Sequence, residues 1–386
     1  MPNFPASRVA NISPFHVMEL MSRARALEAA GRDVIHMEVG EPDFPTPAPI
    51  VAAAQTALED GHVFYTQALG LPELRHAVSD FYRTRYGISV SAARIAITAG
   101  ASGALLLALA CLAERDSEWL LGDPGYPCNR HFVRSFEGVP VGLAVGPSNN
   151  FQPTVNDLAT RWNERTAGVL LASPANPTGT MLDDSQLAAL ADFVRQRQGQ
   201  MIVDEIYHGL TYERDAQSAL LFGDDIFVVQ SFSKYFNMTG WRLGWLVFPE
   251  RFARDIEKLA QNLFICPSTP AQYAALAAFA PSTIDILETR RREFRRRRDF
   301  LAPALEALGF RLSAKPDGAF YIYADCSELT PDSEHFAHEL LQAVGVAVTP
   351  GLDFGTNAPE KHLRIAYTTS LDRLNEAVER IRSFLG

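Results

Sequence analysis

From Ile95 onward the chain repeats one pattern: a short apolar run, a polar or glycine-rich turn, and then a helical stretch. The apolar runs end at Thr98, Gly122, Ser173, Asp204 and Ser231. Short apolar strands that alternate with helices predict a mainly parallel sheet covered by helices on both faces. In such sheets ligands bind beyond the carboxyl ends of the strands. The pattern therefore predicts an α/β fold and the edge of the sheet at which a site should lie.

The last hundred residues follow a different pattern, in which helices flank short isolated strands. We expect helices at Thr283–Phe300, Pro303–Leu308 and Ser333–Val344, and strands at Ala319–Tyr323, Val346–Thr349 and Leu363–Tyr367. This arrangement is typical of a smaller α+β domain. We predict three parts: an arm at residues 1–45 that contributes to the small domain, a large domain at 46–280, and the small domain at 281–386.

Charge and composition narrow the class of partner. A formal net charge of −10 argues against nucleic acid, and 47% hydrophobic with 21% charged residues is ordinary for a soluble globular enzyme. One run, Arg290–Arg298 (RRREFRRRR), opposes the acidic balance and could bind phosphates. On a helix such a run is more often a solvated face whose aliphatic stems lie on the core. We expect the solvated face.

The cysteines and the apolar segments bear on location. Cys111, Cys128, Cys266 and Cys326 form no C-x-x-C pair, which favours neither a disulfide framework nor a metal site and is typical of the reducing cytoplasm. The N-terminus lacks a signal-peptide pattern. Ile95–Ala113 is nineteen residues without a charge, but Gly and Ser near its start divide it into a strand and a helix. We expect a cytoplasmic protein with no membrane span.

The stretch Val228–Trp245 (VVQSFSKYFNMTGWRLGW) carries the most distinctive chemistry. Its apolar run ends in Ser231, Ser233 and Lys234, and Arg242 follows. Lysine is a nucleophile towards carbonyls when its pKa is lowered, and the hydroxyls and the guanidinium could satisfy a phosphate. An amine beside a phosphate site suggests pyridoxal phosphate. On these residues alone, a strand-to-loop junction with a solvated lysine is an equal alternative.

Other strand ends offer the remaining groups that this cofactor needs. Asp204 could keep the ring nitrogen protonated, although an aspartate there could also be a helix cap. Asn176 and Tyr207 could donate to the phenolic oxygen, or be a turn residue and an interior aromatic. Tyr126 could stack on the ring. The amides of Gly100–Ser102 open a helix and so favour a phosphate.

Six segments in order resemble the aspartate aminotransferase family, the class I aminotransferases of fold type I, from about Pro14 to the C-terminus. These segments are GEPDF, YTQALGLPELR, SPANPTGT, DEIYHGL, SFSKYFNMTGWRLGW and LRIAY. The resemblance implies pyridoxal 5'-phosphate as cofactor and a sheet of the seven-stranded type in the large domain. It also implies transfer of an amino group from an L-amino acid to a 2-oxo acid.

The resemblance implies a role for each matching residue. Lys234 matches the Schiff-base lysine that also moves the substrate proton, so Lys234, Asp204 and Tyr207 form the implied catalytic set. Asp204 matches the partner of the ring nitrogen, Tyr207 and Asn176 the ligands of the phenolic oxygen, and Tyr126 the stacking aromatic. The implied phosphate ligands are Gly100, Ala101, Ser102, Ser231, Ser233 and Arg242.

Further matches concern the substrate and the partner subunit. Arg364 resembles the arginine that binds the substrate α-carboxylate, and Gly40 and Asn176 resemble its neighbours. Phe15 is the expected contact of the substrate side chain. Tyr65 matches a tyrosine that reaches the phosphate of the neighbouring subunit, which implies a homodimer with shared sites.

Departures from dicarboxylate-selective relatives indicate a less charged substrate. Ser102 stands where such relatives often have a lysine, and Ala260–Thr289 contains no Arg or Lys. We expect alanine, aromatic or aliphatic amino donors, with the pocket drawn from apolar residues: Phe15, Phe236, Phe264, Cys266 and Pro267.

Two other enzyme classes share parts of the pattern. Ser231–Lys234 fits the S-x-x-K of penicillin-recognising hydrolases, but the chain has no S-D-N or K-T-G. A C–S lyase of the same fold would use the same lysine on a β-leaving group. It stays the alternative, because product analysis and not sequence separates the two.

Overall fold

The computed structural model describes residues 6–386. Within that range the α-helices are α1 (His16–Ala29), α2 (Ala48–Glu59), α3 (Pro72–Tyr86), α4 (Gly100–Leu112), α5 (Pro127–Ser135), α6 (Val155–Arg161), α7 (Asp184–Gln196), α8 (Ala253–Leu263), α9 (Thr269–Leu276), α10 (Pro281–Ala307), α11 (Ser333–Val344) and α12 (Leu371–Leu385). The strands are β1 (Ile35–His36), β2 (Ile95–Thr98), β3 (Glu118–Asp123), β4 (Val139–Ala144), β5 (Thr166–Ala172), β6 (Gln200–Asp204), β7 (Phe227–Ser231), β8 (Gly244–Val247), β9 (Tyr321–Asp325), β10 (Val346–Ala347), β11 (Thr349–Pro350) and β12 (His362–Ala366). Part of the N-terminal arm, residues 1–5, lies outside the described residues.

The large sheet confirms the predicted mainly parallel α/β architecture. Over the described residues it has seven strands in the order β2-β8-β7-β6-β5-β3-β4, and β8 alone runs antiparallel to its neighbours. The segment between Ser231 and Gly244 contains no α-helix that could form a crossover, and the chain returns through it as an antiparallel partner of β7. That segment is therefore fixed at the carboxyl end of β7, and it contains Lys234.

Apolar side chains cover both faces of this sheet. Along β6, Met201 and Val203 belong to one buried cluster and Ile202 to another. Side chains alternate between the two faces of a strand, so this division means that helices bury β6 from both sides. Polar groups on such strands can only collect at the strand ends.

A smaller set of strands is formed by the C-terminal region together with the N-terminal arm. β11, β12 and β9 form an antiparallel sheet, and β1 pairs with β10 in parallel. The pairing of Ile35 with Val346 joins the arm to this region. The division of the chain at residues 45 and 280 stays a prediction.

Helix α10 corrects two expectations. It is continuous from Pro281 to Ala307, with no interruption before Pro303. Proline removes one backbone hydrogen bond, but Leu301 and Leu305 are buried beside it, and packing of an apolar face contributes more to a helix than one bond. The expected solvated face is also wrong in part, because Arg297 and Arg298 are 3% and 1% exposed.

The uncharged segment Ile95–Ala113 forms β2 and the whole of α4. No helix among residues 6–386 has both the length and the hydropathy that crossing a membrane requires.

Candidate active site

A cavity of about 380 Å³ lies at the carboxyl edge of the large sheet. It is lined by nearly all of the residues that the sequence nominated: Phe15, Gly40, Ala101, Ser102, Tyr126, Asn176, Asp204, Tyr207, Ser231, Ser233, Lys234, Arg242 and Arg364. Gly100 lies directly behind this wall, against Arg242. The ends of β5, β6 and β7 bring Asn176, Asp204 and Lys234 together, as parallel strands require.

Lys234 stands in the turn that follows β7, with its amine in the cavity. Its Nζ donates to the carbonyl oxygen of Gly40 at 2.7 Å. Burial lowers the lysine pKa to about 8, and the cations Arg364 and Arg242 act in the same direction while Glu41 opposes them. A lowered pKa leaves more of the amine neutral near neutral pH, and the neutral amine is both nucleophile and base.

Asp204 ends β6 and is 4% exposed. Its Oδ1 accepts from the Ile206 amide at 3.0 Å. Burial raises the pKa of its carboxyl to about 7, against the opposing effects of that amide and Lys234. A buried carboxylate with so few donors is stabilised by a cation placed against it. A protonated pyridine nitrogen is a cation of this kind.

Tyr321, which sequence reasoning placed in a strand but not in the site, connects several of its parts. Its hydroxyl is 2.8 Å from that of Tyr207, and its ring lies 4.4 Å from the Arg364 guanidinium. A Cβ on Gly40 would stand 1.9 Å from the Tyr321 hydroxyl, so only glycine fits there. Burial raises the pKa of both tyrosines, which therefore remain protonated donors.

Arg364 is held rigidly with part of its donor set free. It donates to Asn176 Oδ1 at 3.0 Å, to Thr349 Oγ1 at 3.4 Å and to the carbonyl of Glu38, and it packs on the ring of Phe354. Its buried Nε has no hydrogen-bond partner among residues 6–386. A fixed planar fork with an unsatisfied donor is suited to a carboxylate.

Another part of the cavity wall collects donors for a phosphate. Helix α4 begins at Gly100, where φ is +70°, and a Cβ there would approach an Arg242 nitrogen to 2.8 Å. Because Gly100 has no side chain, the guanidinium lies against the helix start, where unpaired amides favour anions. Ser231 and Ser233 are buried beside it, and Ser231 Oγ accepts from the Ser233 amide at 3.0 Å.

Together these groups fit pyridoxal phosphate. The cavity offers an amine for the aldehyde, a buried carboxylate for the ring nitrogen, and an arginine with a helix start for the phosphate. Asn176 uses its oxygen on Arg364, so its amide nitrogen is left to donate.

Some nominated residues lie elsewhere. Tyr65 is 82% exposed and does not line the cavity. Phe236 packs against Phe232 and Phe279 in the core, so its assignment to the substrate pocket was wrong. Phe264, Cys266 and Pro267 do not line the cavity either.

Helix α1 supplies the apolar wall that sequence reasoning missed. Val17, Met18 and Met21 face the cavity. The carboxylate of the buried Asp353 accepts from the amides of His16 and Val17 at 2.9 and 3.0 Å and so holds the start of this helix. The apolar spacing of α1 is visible in the sequence, but spacing does not distinguish a helix on the core from a helix over a cavity.

Comparisons with known proteins agree with this geometry. A family model described as aminotransferase class I and II matches residues 32–381. The valine–pyruvate aminotransferase of Mycobacterium tuberculosis is 38% identical over 378 residues, which are 97% of this chain and 97% of that protein. A crystal structure of an aminotransferase from the same organism superimposes with a TM-score of 0.96 at 38% identity, covering 100% of this chain and 99% of that one. The aspartate aminotransferase of Thermus thermophilus, solved with maleate, gives 0.94 at 32% identity, with 99% and 100% covered.

Proposed function

The chain belongs to the class I and II aminotransferases, and on that premise we propose which of its residues carry the reaction and which amino acids it accepts. As a member of this family it is a pyridoxal-phosphate-dependent transaminase, which moves an amino group from an L-amino acid to a 2-oxo acid. The observation that supports the residue roles is that Lys234, Asp204 and Arg364 face one cavity.

The proposed roles follow from the chemistry of each group. When bound, pyridoxal phosphate supplies an aldehyde carbon that bonds to amines and a protonated ring that withdraws electrons. Arg364 binds the α-carboxylate of the amino acid and fixes its Cα near Lys234. The Lys234 amine, with its lowered pKa, takes the proton from Cα and would deliver it to the carbon that carries the aldehyde in pyridoxal phosphate. Asp204 keeps a negative charge beside the ring nitrogen.

The remaining ligands hold the cofactor in register. Tyr207 and the amide nitrogen of Asn176 donate to the phenolic oxygen, and Tyr126 packs on the ring. The phosphate is held by Ser231, Ser233, Arg242 and the amides of Gly100, Ala101 and Ser102.

Replacement of Lys234 tests the central assignment. Lys234→Ala should lower kcat by at least about a thousandfold, within the range of lost general acid–base catalysis. Its matched control is Lys258→Ala, because Lys258 lies on the surface in an ion pair with Asp255. Normal turnover in Lys234→Ala would refute the assignment. Pyruvate and ammonia formed from a cysteine conjugate without a 2-oxo acid would instead indicate the lyase, which the relatives do not favour.

We also propose amino donors with apolar side chains. Phe15, Val17, Met18 and Met21 form the wall beside the reactive amine. Among the described residues, the cations that line the cavity are Lys234, Arg242 and Arg364, and each already has a role. No lining cation is therefore left for a second carboxylate. The relative named valine–pyruvate aminotransferase supports the same substrate class.

A substrate panel checks this choice. We expect kcat/KM for valine, leucine and phenylalanine to exceed that for aspartate by at least about tenfold, the low end of what pocket contacts discriminate. Equal or faster reaction with aspartate would contradict the apolar assignment without touching the role of Lys234.

We further propose a homodimer that shares its sites and acts in the cytoplasm. Val63, Phe64 and Tyr65 are consecutive and 56%, 81% and 82% exposed, an apolar surface that a second subunit would cover. The cysteines are free thiols, in keeping with a reducing compartment. Light scattering should give twice the mass of the chain. Mixing Lys234→Ala with Tyr65→Ala should restore activity, because one site of the mixed dimer then has both native residues.

A further inference from the structure

The segment between Val39 and Ala48, which we call the site loop (residues 40–47), has neither helix nor strand and is held by side chains. Its first residue supplies the carbonyl that accepts from Lys234 Nζ, and Glu41 accepts from Thr239 Oγ1 at 2.5 Å. A loop without a backbone ladder takes its position from such anchors. Two of the strongest anchors come from the arginine run of α10.

Arg297 binds the middle of the site loop. Its two terminal nitrogens donate to the two carboxylate oxygens of Asp43 at 2.7 and 3.0 Å, and its guanidinium lies 5.1 Å from the ring of Phe44. Its Nε donates to Glu293 at 3.2 Å. The side chain is 3% exposed, so this bidentate pair is screened little by water.

Arg290 lies two turns earlier on α10 and binds both the site loop and the lysine turn. It donates to the carbonyl of Pro45 at 2.6 Å and to Asn237 Oδ1 at 2.7 Å. The backbone and side-chain nitrogens of Asn237 in turn donate to the carbonyl of Lys234 at 3.2 and 3.1 Å. One guanidinium therefore connects the loop to the backbone of the reactive lysine.

We propose that Arg290 and Arg297 are positioning residues, which fix the site loop so that the Gly40 carbonyl meets the Lys234 amine and the loop backbone closes on the substrate carboxylate. The inference rests on the proposed function, because it assigns these arginines to the site of the transaminase. Neither arginine lines the cavity, so both act through the loop and the lysine turn.

The neighbouring arginines show that the arrangement is specific. Arg298 is as buried as Arg297, yet it binds Glu213 at 2.7 Å, away from the loop. Arg296 is 67% exposed, and its one ion pair among residues 6–386 is with Glu293 at 3.6 Å. The same residue type in one run therefore offers a positioning arginine, a structural one and a solvated one.

The test compares Arg297→Gln with Arg296→Gln in the holoenzyme. Both changes remove one charge from the same helix. We expect Arg297→Gln to raise KM for the amino donor about tenfold, with a smaller fall in kcat, since displacement of a positioning group by a fraction of an ångström has effects of this order. Arg297→Lys should recover part of the loss, and Arg296→Gln should match the wild type within about twofold.

Hydrogen exchange supplies a readout that does not need turnover. The amide hydrogens of the non-proline residues of the site loop (40, 41, 43, 44 and 46) should exchange faster in Arg297→Gln than in the wild type. In Arg296→Gln their exchange should be unchanged. Equal KM and equal exchange in the two variants would overturn the proposal. If the wild type shows no transamination, the proposed function fails, while exchange still decides whether α10 holds the loop.

Asp43→Asn covers the case in which Arg297→Gln does not fold. Asp43 is 31% exposed on a loop, so its neutral replacement leaves no buried charge except that of Arg297, which keeps Glu293. The proposal expects the same rise in KM and the same faster exchange. An Asp43→Asn enzyme with wild-type KM and exchange would overturn it.

Discussion

Two carboxylates, one in the cavity and one beside helix α10, have pKa values that are shifted in opposite directions. Asp204, in the cavity cluster at the strand ends (Asn176, Asp204 and Lys234, the strand-end cluster), has its pKa raised to about 7 by burial, and the Ile206 amide and the Lys234 amine oppose that shift. Glu213, beside α10, has its pKa lowered to about 2 by hydrogen bonds from Arg298 and Lys315. The first carboxylate is stabilised only when a cation is added, and the second already has its cations.

This contrast separates a binding site from a structural ion-pair network. A raised carboxyl pKa in a cavity, beside an amine whose pKa is lowered, marks groups arranged for a ligand. Lowered carboxyl pKa values among arginines mark charges that satisfy each other. Both regions are dense in charge, so the direction of the shift is more informative than the number of charged residues.

The largest expected effect comes from neutralising the unsatisfied carboxylate. Asp204→Asn keeps the shape of the side chain and removes the charge that we propose keeps the ring nitrogen protonated. We expect kcat to fall by about a hundredfold to a thousandfold, as for other single preorganised electrostatic contacts. Thermal stability of the cofactor-free protein should not fall, because an uncompensated buried carboxyl is removed. A variant with normal kcat would mean that Asp204, like Glu213, has no part in the reaction.

Arg364 tests whether a cation of the cavity binds substrate and does not merely balance charge. Arg364→Lys keeps the charge but loses the planar fork and the unpaired Nε. We expect KM for all amino donors to rise by about a hundredfold, consistent with the cost of breaking a buried charge-assisted contact. The visible cofactor band should persist. Unchanged KM would place Arg364 with the structural arginines of α10.

Most of the strand-end cluster could be predicted from the sequence, because the topology of a parallel sheet brings the strand ends together. Parallel strands end at one edge, so Asp204, Asn176 and Lys234 meet even though they are far apart in the chain. The edge strand β4 was not predicted. Pro140 and Gly142 interrupt its apolar run, and most of its side chains are at least partly exposed.

The structural region was not predictable from the same reasoning. Arg297 is buried because Asp43 lies against it, and Arg298 because Glu213 does. No local pattern pairs residues that are 254 or 85 positions apart. Tyr321 was missed for the same reason: its strand was expected, but contact with Gly40 and Arg364 depends on how two sheets meet.

Gly40 lies where the two regions meet, and its replacement should have an intermediate effect. A Cβ at this position collides with the Tyr321 hydroxyl at 1.9 Å and with the ring carbon that bears it at 2.9 Å. Gly40→Ala should displace the site loop and lower kcat/KM by about tenfold or more. Tyr321→Phe removes the closer clash, so the double variant should recover part of the activity. No recovery would mean that the loop, not the tyrosine, limits the fit.

The smallest effect on catalysis is expected at Glu213, and it separates the regions by pH. Because its folded pKa is lowered, Glu213 contributes stability that is present above about pH 4.5 and is lost as pH falls towards 2. Glu213→Gln should therefore lower the Tm near pH 6, and its difference from the wild type should narrow as the medium becomes more acidic. Asp204 has the opposite sign: its folded pKa is raised, so the cofactor-free wild type loses stability relative to Asp204→Asn as pH rises from about 4 to 7.

Turnover and KM of Glu213→Gln should equal those of the wild type, since its partners Arg298 and Lys315 do not reach the cavity. Melting curves of the cofactor-free proteins between pH 2 and 8 check both signs, because this range includes the Glu213 window below about pH 4.5 and the Asp204 window between about pH 4 and 7. If Tm changes with pH in the same way in the two variants, the two carboxylates differ only in location and not in the direction of their pKa shift.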